Sequence, residues 1–176
     1  MRGLVFPRIA GASRRRRGMA RRLASVIGAV VAAVGVTMLP AAIVSAVYGE
    51  WHDAGWIAVS AAVCLAVGLA GRMAGVRGEF TTKEAFATAG LTYFVITAFG
   101  ALPYLLTGSI TDPTDALFET AAGFTTTGAT VLANPGEALS HGMLIWRAMT
   151  QWLGGMGIIV LSIAILPWLG VGGVQL

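Results

Sequence analysis

Four long stretches of this chain carry almost no charge, and they constrain its fold more than any other feature. A helix that crosses a bilayer needs about 20 mainly apolar residues. Charged residues make up 11% of the chain, whereas a soluble domain has about 25%. The sequence therefore predicts an all-α membrane protein with several spans. The stretches are Leu23–Val47, Ala54–Gly71, Ala85–Thr107 and Gly142–Leu169, the last interrupted only by Arg147.

The basic residues predict how the chain is oriented in the membrane. Eight of the 12 Lys and Arg residues lie within residues 1–22. Such a run is typical of a nucleic-acid patch or of an orientation signal before a span, and the uncharged stretch that follows favours the signal. With this tail in the cytoplasm, all basic residues except Arg147 face the cytoplasm, as the positive-inside rule requires. We expect a multi-pass protein of the plasma (inner) membrane that contacts lipid and has no nucleic-acid partner.

A cleaved signal peptide is the alternative for the first span. Val44-Ser45-Ala46 resembles a cleavage site, and basic residues precede the apolar stretch as they do in export signals. The apolar core of a signal peptide is about 7–15 residues long, whereas this stretch has 25 residues. The length favours a retained membrane helix.

The segment between the third and fourth stretches begins with the signature of a short helix. Asp112 is a favourable N-cap residue and Pro113 suits the first helical position. Asp115 and, more weakly, Glu119 are expected to stabilise the positive end of the helix dipole. Gly123 is a natural stop. The predicted helix, residues 112–122, is about 15 Å long, half the thickness of a membrane.

A run rich in Thr and Gly follows this helix, from Phe124 to Thr130. Three consecutive threonines disfavour helix, and a glycine behind them permits unusual backbone angles. A short helix followed by such a run is typical of a re-entrant pore loop, whose backbone carbonyl oxygens replace the water around a monovalent cation. An ordinary extracellular loop remains the alternative.

Two strings in this half of the chain resemble the Trk/Ktr-type potassium uptake family, in its TrkH-like membrane subunit. The resemblance is strong over residues 77–176 and only topological over residues 1–76. The strings are Phe118-Glu-Thr-Ala-Ala-Gly-Phe-Thr-Thr-Thr-Gly-Ala-Thr130 and Leu144-Ile-Trp-Arg-Ala-Met-Thr-Gln-Trp-Leu-Gly-Gly-Met-Gly-Ile-Ile-Val-Leu-Ser-Ile-Ala-Ile-Leu-Pro167.

The resemblance implies a function and a site. Potassium would be the transported substrate, with no other cofactor, and a cytoplasmic nucleotide-binding regulatory subunit would be a partner. Two extra helices, in residues 23–76, would precede the first pore repeat, in residues 77–176. That repeat would contain a helix at 85–107, the pore helix at 112–122, the filter at 123–130 and a helix at 142–169. The implied potassium-binding filter comprises Thr126, Thr127 and Gly128, with Thr125 and Ala129 at its margins.

The chain contains one such repeat, whereas the family builds its pore from four. We therefore expect that this chain alone, as a monomer, does not conduct, and that it is the N-terminal portion of a longer transporter or assembles with other copies of itself. A non-conducting structural or remnant membrane protein is the alternative. No catalytic constellation appears in the sequence, which argues against an enzyme.

Three residues of the last stretch leave their roles open. Gly154 and Gly155 are candidates for close helix packing or for a gating hinge. Arg147 is expected to reach the interface, to form a salt bridge with Glu119 or Glu137, or to act electrostatically near a pore mouth.

Overall fold

The computed structural model describes residues 10–76, 78 and 80–165, and the regular secondary structure in this part of the chain is helical, without strands. Three of its segments are long and apolar enough to cross a membrane: Gly18–Val47, Trp51–Ala74 and Lys83–Thr107. The predicted all-α membrane class is confirmed at this level. The helices are α1 (Ala10–Val47), α2 (Trp51–Ala74), α3 (Thr82–Gly100), α4 (Leu102–Thr107), α5 (Pro113–Phe124), α6 (Pro135–Ala138) and α7 (His141–Ile165).

Helices α1 and α2 form a hairpin that is packed through glycines. A Cβ atom added to Gly28 would lie 2.6 Å from the carbonyl oxygen of Gly68, and one added to Gly68 would lie 2.6 Å from that of Gly28. Only residues without a side chain let two backbones approach so closely, as is common between membrane helices. Gly35 of α1 extends this contact, because a Cβ atom added to it would lie 2.9 Å from Cys64 Cβ of α2.

The sequence predicts one helix over 85–107, but the structure divides this segment. A capping box starts α3 three residues earlier, with the Thr81 N–H donating to Glu84 Oε2 at 2.9 Å. The helix ends at Gly100, whose carbonyl accepts a hydrogen bond from Trp146 Nε1 at 3.0 Å. Pro103 lies at the start of α4, and proline has no N–H with which to continue a helical ladder.

Helices α5 and α7 pack against earlier parts of the chain. Helix α5 packs against α3, α4 and α7, and α7 packs against α1. The fully buried side chains of Trp146, Tyr104 and Phe124 are among the largest in the core. Of the helix predicted at 142–169, residues 166–169 lie outside the described part of the chain.

The loop between α1 and α2 caps the beginning of α7. Glu50 accepts hydrogen bonds from the backbone N–H of His141 at 3.1 Å and from that residue's Nδ1 at 2.8 Å. The His141 ring also stacks on Tyr48, with 3.9 Å between the ring centroids. Partial burial acts to raise the pKa of Glu50, but the hydrogen bonds from His141 and Gly142 prevail and lower it. The carboxylate therefore stabilises α7 in its ionised form.

Replacing Glu50 with Gln is expected to lower the stability of the purified protein by about 1 kcal/mol at pH 7, the usual contribution of a helix cap. Because folding lowers the pKa of Glu50, its contribution is complete above the unfolded pKa, about 4.3, and is lost as the pH falls through the folded value. Thermal unfolding of both proteins at pH 7 and near pH 3 would measure this. A stability difference that stays constant with pH would contradict the cap.

Candidate functional site

The candidate filter follows α5, and the start of α5 matches the local sequence signal. Asp112 Oδ1 accepts hydrogen bonds from the backbone N–H of Thr114 at 2.7 Å and of Asp115 at 3.3 Å. These bonds lower the pKa of Asp112. Pro113 occupies the first helical position. Asp112 is therefore the N-cap of α5.

The end of α5 differs from the prediction, because Gly123 does not stop the helix. The helix continues through Phe124, and the left-handed residue is Thr126, with φ of 56°. The Thr126 N–H donates to the Gly123 carbonyl at 2.9 Å and the Thr127 N–H to the Ala122 carbonyl at 3.0 Å. These two bonds form a Schellman motif, which normally places glycine where Thr126 lies.

A threonine in this position is strained. The left-handed conformation costs an L-residue roughly 1–2 kcal/mol, and a β-branched side chain is a particular outlier there. Such strain persists where the surroundings impose it, and it is concentrated at functional sites. Gly128, with φ of 72°, is also left-handed, so residues two apart share this conformation.

The hydrogen bonds of the loop orient its carbonyl groups. The N–H groups of Thr126, Thr127 and Gly128 all point back to carbonyls at the end of α5, and the peptide bonds are trans. In a trans peptide the carbonyl points opposite to the N–H. The carbonyls of Thr125, Thr126 and Thr127 therefore point away from α5. Residues 125–128 are exposed and Ala129 is half-buried, so these oxygens belong to an exposed part of the loop.

Two glycines bring α5 and α7 into contact behind this loop. A Cβ atom on Gly123 would lie 2.9 Å from Thr150 Cβ, and one on Gly154 would lie 2.7 Å from the carbonyl carbon of Phe124. A Cβ atom on Gly155 would meet only Thr126 Cγ2, at 4.0 Å. Gly123 and Gly154 therefore serve close packing, whereas Gly155 has room for a side chain.

Glu119 connects three parts of the site. Its Oε1 contacts Arg147 Nε of α7 at 2.6 Å, and its Oε2 accepts hydrogen bonds from Thr130 Oγ1 at 2.9 Å and from the Val131 N–H at 3.1 Å. The Glu119 side chain is 1% exposed and that of Arg147 is 20% exposed. Glu119 is thus a buried residue that links α5 to α7 and to residues 130–131, and not the dipole-stabilising residue that we expected. Of the two acids proposed for Arg147, Glu119 is its partner.

Sequence reasoning did not assign two further residues to this site. Thr150 packs on Gly123 and donates its hydroxyl to the Arg147 carbonyl at 2.7 Å. Trp146 is fully buried and binds the carbonyl of Gly100. The spacing of Trp146 and Thr150, four residues apart on α7, places them on one helix face. That spacing is the signal that could have found them.

Comparison with known proteins decides the family. The family model described as "TrkH: Cation transport protein" matches residues 53–176. This chain belongs to the TrkH family. The predicted resemblance to Trk potassium uptake proteins is confirmed.

The relatives of this TrkH-family chain are longer than it is. The Trk system potassium uptake protein TrkH of Halomonas elongata is 40% identical over 161 residues, which cover 89% of this chain and 33% of the relative. TrkH of Escherichia coli K12 is 50% identical over 101 residues, covering 57% of this chain and 21% of the relative. The crystal structure of the potassium transporter TrkH from Vibrio parahaemolyticus matches with a TM-score of 0.78 and 36% identity, over 88% of this chain and 33% of that one. This TrkH-family chain therefore spans about a third of the length of the Halomonas and Vibrio proteins.

Proposed function

We propose that this chain supplies one pore loop of a potassium-conducting pore in the plasma membrane. The observation that carries the proposal is the row of carbonyl oxygens at Thr125, Thr126 and Thr127, which points away from the pore helix on an exposed face. Carbonyl oxygens in a row can replace the hydration shell of a desolvated potassium ion. The names of the TrkH relatives, which are potassium uptake proteins, support the choice of ion.

The proposed filter comprises Thr126, Thr127 and Gly128, with Thr125 and Ala129 at its margins. The left-handed conformations of Thr126 and Gly128 support this assignment, because they set the direction of the peptides between them. Potassium is the substrate, coordinated at Thr126 and Thr127. No covalent chemistry is required of the chain.

We further propose that three additional pore loops are needed to complete this pore. The exposed backbone of residues 125–128 would leave polar groups without partners in a membrane, at a cost of several kcal/mol for each group. Further repeats of the same protein or other copies of this chain supply those partners. The N-terminal tail lies in the cytoplasm, on the side of a nucleotide-binding regulatory subunit; the relatives are named as parts of a Trk system.

A chimera tests this proposal. The matching segment of Halomonas elongata TrkH, which is 40% identical, is replaced by this chain in a bacterium that lacks its own potassium uptake systems. We expect growth at low potassium and rubidium uptake. Gly128→Asp should reduce uptake at least about tenfold, because it adds a charged side chain at a left-handed residue of the proposed filter. A tenfold reduction corresponds to a rise of about 1.4 kcal/mol in the transport barrier.

The matched control is Gly136→Asp, which places the same residue at an exposed glycine beyond the filter and should leave uptake unchanged. Undiminished rubidium uptake with Gly128→Asp would refute the filter assignment. Expression of the 176 residues alone then asks whether copies of the chain complete the pore. Growth that Gly128→Asp abolishes would show that they do.

A further inference from the structure

An apolar cleft of about 540 Å³ separates α1 from α3 and α7. It follows α1 from Val26 to Val34 and α3 from Ala85 to Ile96, and Phe124 of the pore helix lines it as well. Eleven helical steps along α3 correspond to about 16 Å, roughly half of the 30 Å hydrocarbon layer. The cleft thus has the length of one leaflet.

A second cavity, of about 390 Å³, adjoins the cleft and carries charge. It shares Val26 and Val30 with the cleft, and Arg72 and Gly75 complete its wall. Arg72 therefore lies next to the end of the cleft that is lined by Val26, close to the end of α2.

Other basic residues lie at the same end of the helices. Arg21 donates its Nε to the Ala74 carbonyl at 3.1 Å, and the side chain of Lys83 is exposed. Among the described residues at this end, the acidic side chain is that of Glu84, which accepts a hydrogen bond from the Thr81 N–H. The local charge is therefore positive at a level where a membrane presents its headgroups.

We propose that the cleft binds one acyl chain of an anionic phospholipid, whose phosphate lies at Arg72. A single acyl chain suits an apolar cleft that is one leaflet long, and its attached phosphate is complementary to the cationic second cavity. The proposal does not depend on ion conduction.

Native mass spectrometry of the full 176-residue chain in detergent tests this site, with phosphatidylglycerol and phosphatidylcholine of the same acyl chains as probes. We expect tighter binding of phosphatidylglycerol. Arg72→Gln should weaken phosphatidylglycerol binding about fivefold, the effect of one basic side chain at an anionic surface, and leave phosphatidylcholine binding unchanged.

Two bulky substitutions locate the acyl chain. Ala89 lines the cleft, whereas Ala87, on the same helix, is exposed and is not among the lining residues. Ala89→Phe should reduce binding of both lipids at least about fivefold, and Ala87→Phe should not. If Ala89→Phe fails to fold by circular dichroism, Ala33→Phe fills the cleft from its opposite wall on α1.

Three outcomes would overturn the proposal. Equal affinity for the two lipids in the unmodified chain would remove the role of charge. An equal loss of affinity for both lipids in Arg72→Gln would also show that the charge of Arg72 does not select the anionic lipid. Binding that survives a folded cleft-filling variant would place the lipid elsewhere and leave the cleft to another occupant.

Discussion

Replacing Gly154 with Ala is expected to disrupt the candidate filter, whereas the same change at the adjacent Gly155 is expected to be tolerated. The added Cβ atom at position 154 would lie 2.7 Å from the carbonyl carbon of Phe124 and 3.0 Å from its Cα atom. Both are backbone atoms, so no side-chain rotation relieves the clash. Either α7 moves away from α5 or Phe124 moves together with the loop that follows it. Overpacking of this kind costs about 1–3 kcal/mol.

Thermal unfolding and rubidium uptake of the chimera measure this difference. At 2–4 °C for each kcal/mol in a chain of this size, Gly154→Ala should lower the unfolding midpoint by roughly 2–12 °C and should also reduce uptake. Gly155→Ala adds a methyl group 4.0 Å from Thr126 Cγ2, an ordinary contact, and should change neither quantity. A hinge role predicts another pattern, with uptake lost in both variants and stability retained. That pattern would contradict the packing role.

The parts of this fold that the sequence predicts correctly depend on local chemistry. The start of α5 rests on Asp112 and Pro113, which act within one helical turn. The membrane spans are predicted from the length of the apolar stretches and from their lack of charged residues. The break between α3 and α4 also has a local cause, which is Pro103 at the start of α4. The sequence nevertheless predicts one helix, because the apolar stretch continues through this proline.

The parts that the sequence misplaces depend on contacts between distant segments. Gly123 looks like a helix stop, because a glycine required for packing cannot be distinguished from one required for a positive φ. A glycine is required at position 123 because Thr150, 27 positions away in the sequence, leaves no room for a side chain. The left-handed residue is Thr126, although a β-branched residue intrinsically disfavours that conformation. Its conformation is imposed by the hydrogen bonds of the loop and not by its side chain.

The role of Glu119 could not be read from its position in α5. Its partners, Arg147 and Thr130, lie 28 and 11 residues away, and the sequence offers Glu137 as an equally charged alternative for Arg147. Only the packing of α5 on α7 distinguishes the two acids.

Removal of Arg147 is expected to have the largest effect on stability of any single change proposed for this chain. Arg147→Met leaves the carboxylate of Glu119, whose side chain is 1% exposed, without its counter-charge. Breaking a buried ion pair from one side costs about 3–5 kcal/mol, which is comparable to the total stability of a marginal domain. Glu137→Gln is the matched control for loss of a charge, because that side chain is exposed, and its effect should be within about 0.5 kcal/mol.

The double variant Glu119→Gln/Arg147→Met separates the charge from the hydrogen bonds. Glutamine is neutral, and its carbonyl oxygen can still accept one of the bonds from Thr130 and Val131, so most of the lost stability should return. Thermal unfolding of the unmodified chain, of Glu119→Gln, of Arg147→Met and of the double variant forms the cycle that measures this coupling. If the double variant is as unstable as Arg147→Met, an uncompensated carboxylate is not the cause. Recovery of stability together with rubidium uptake would show that Arg147 acts on the filter through Glu119, because its own charge would then be absent from a working pore.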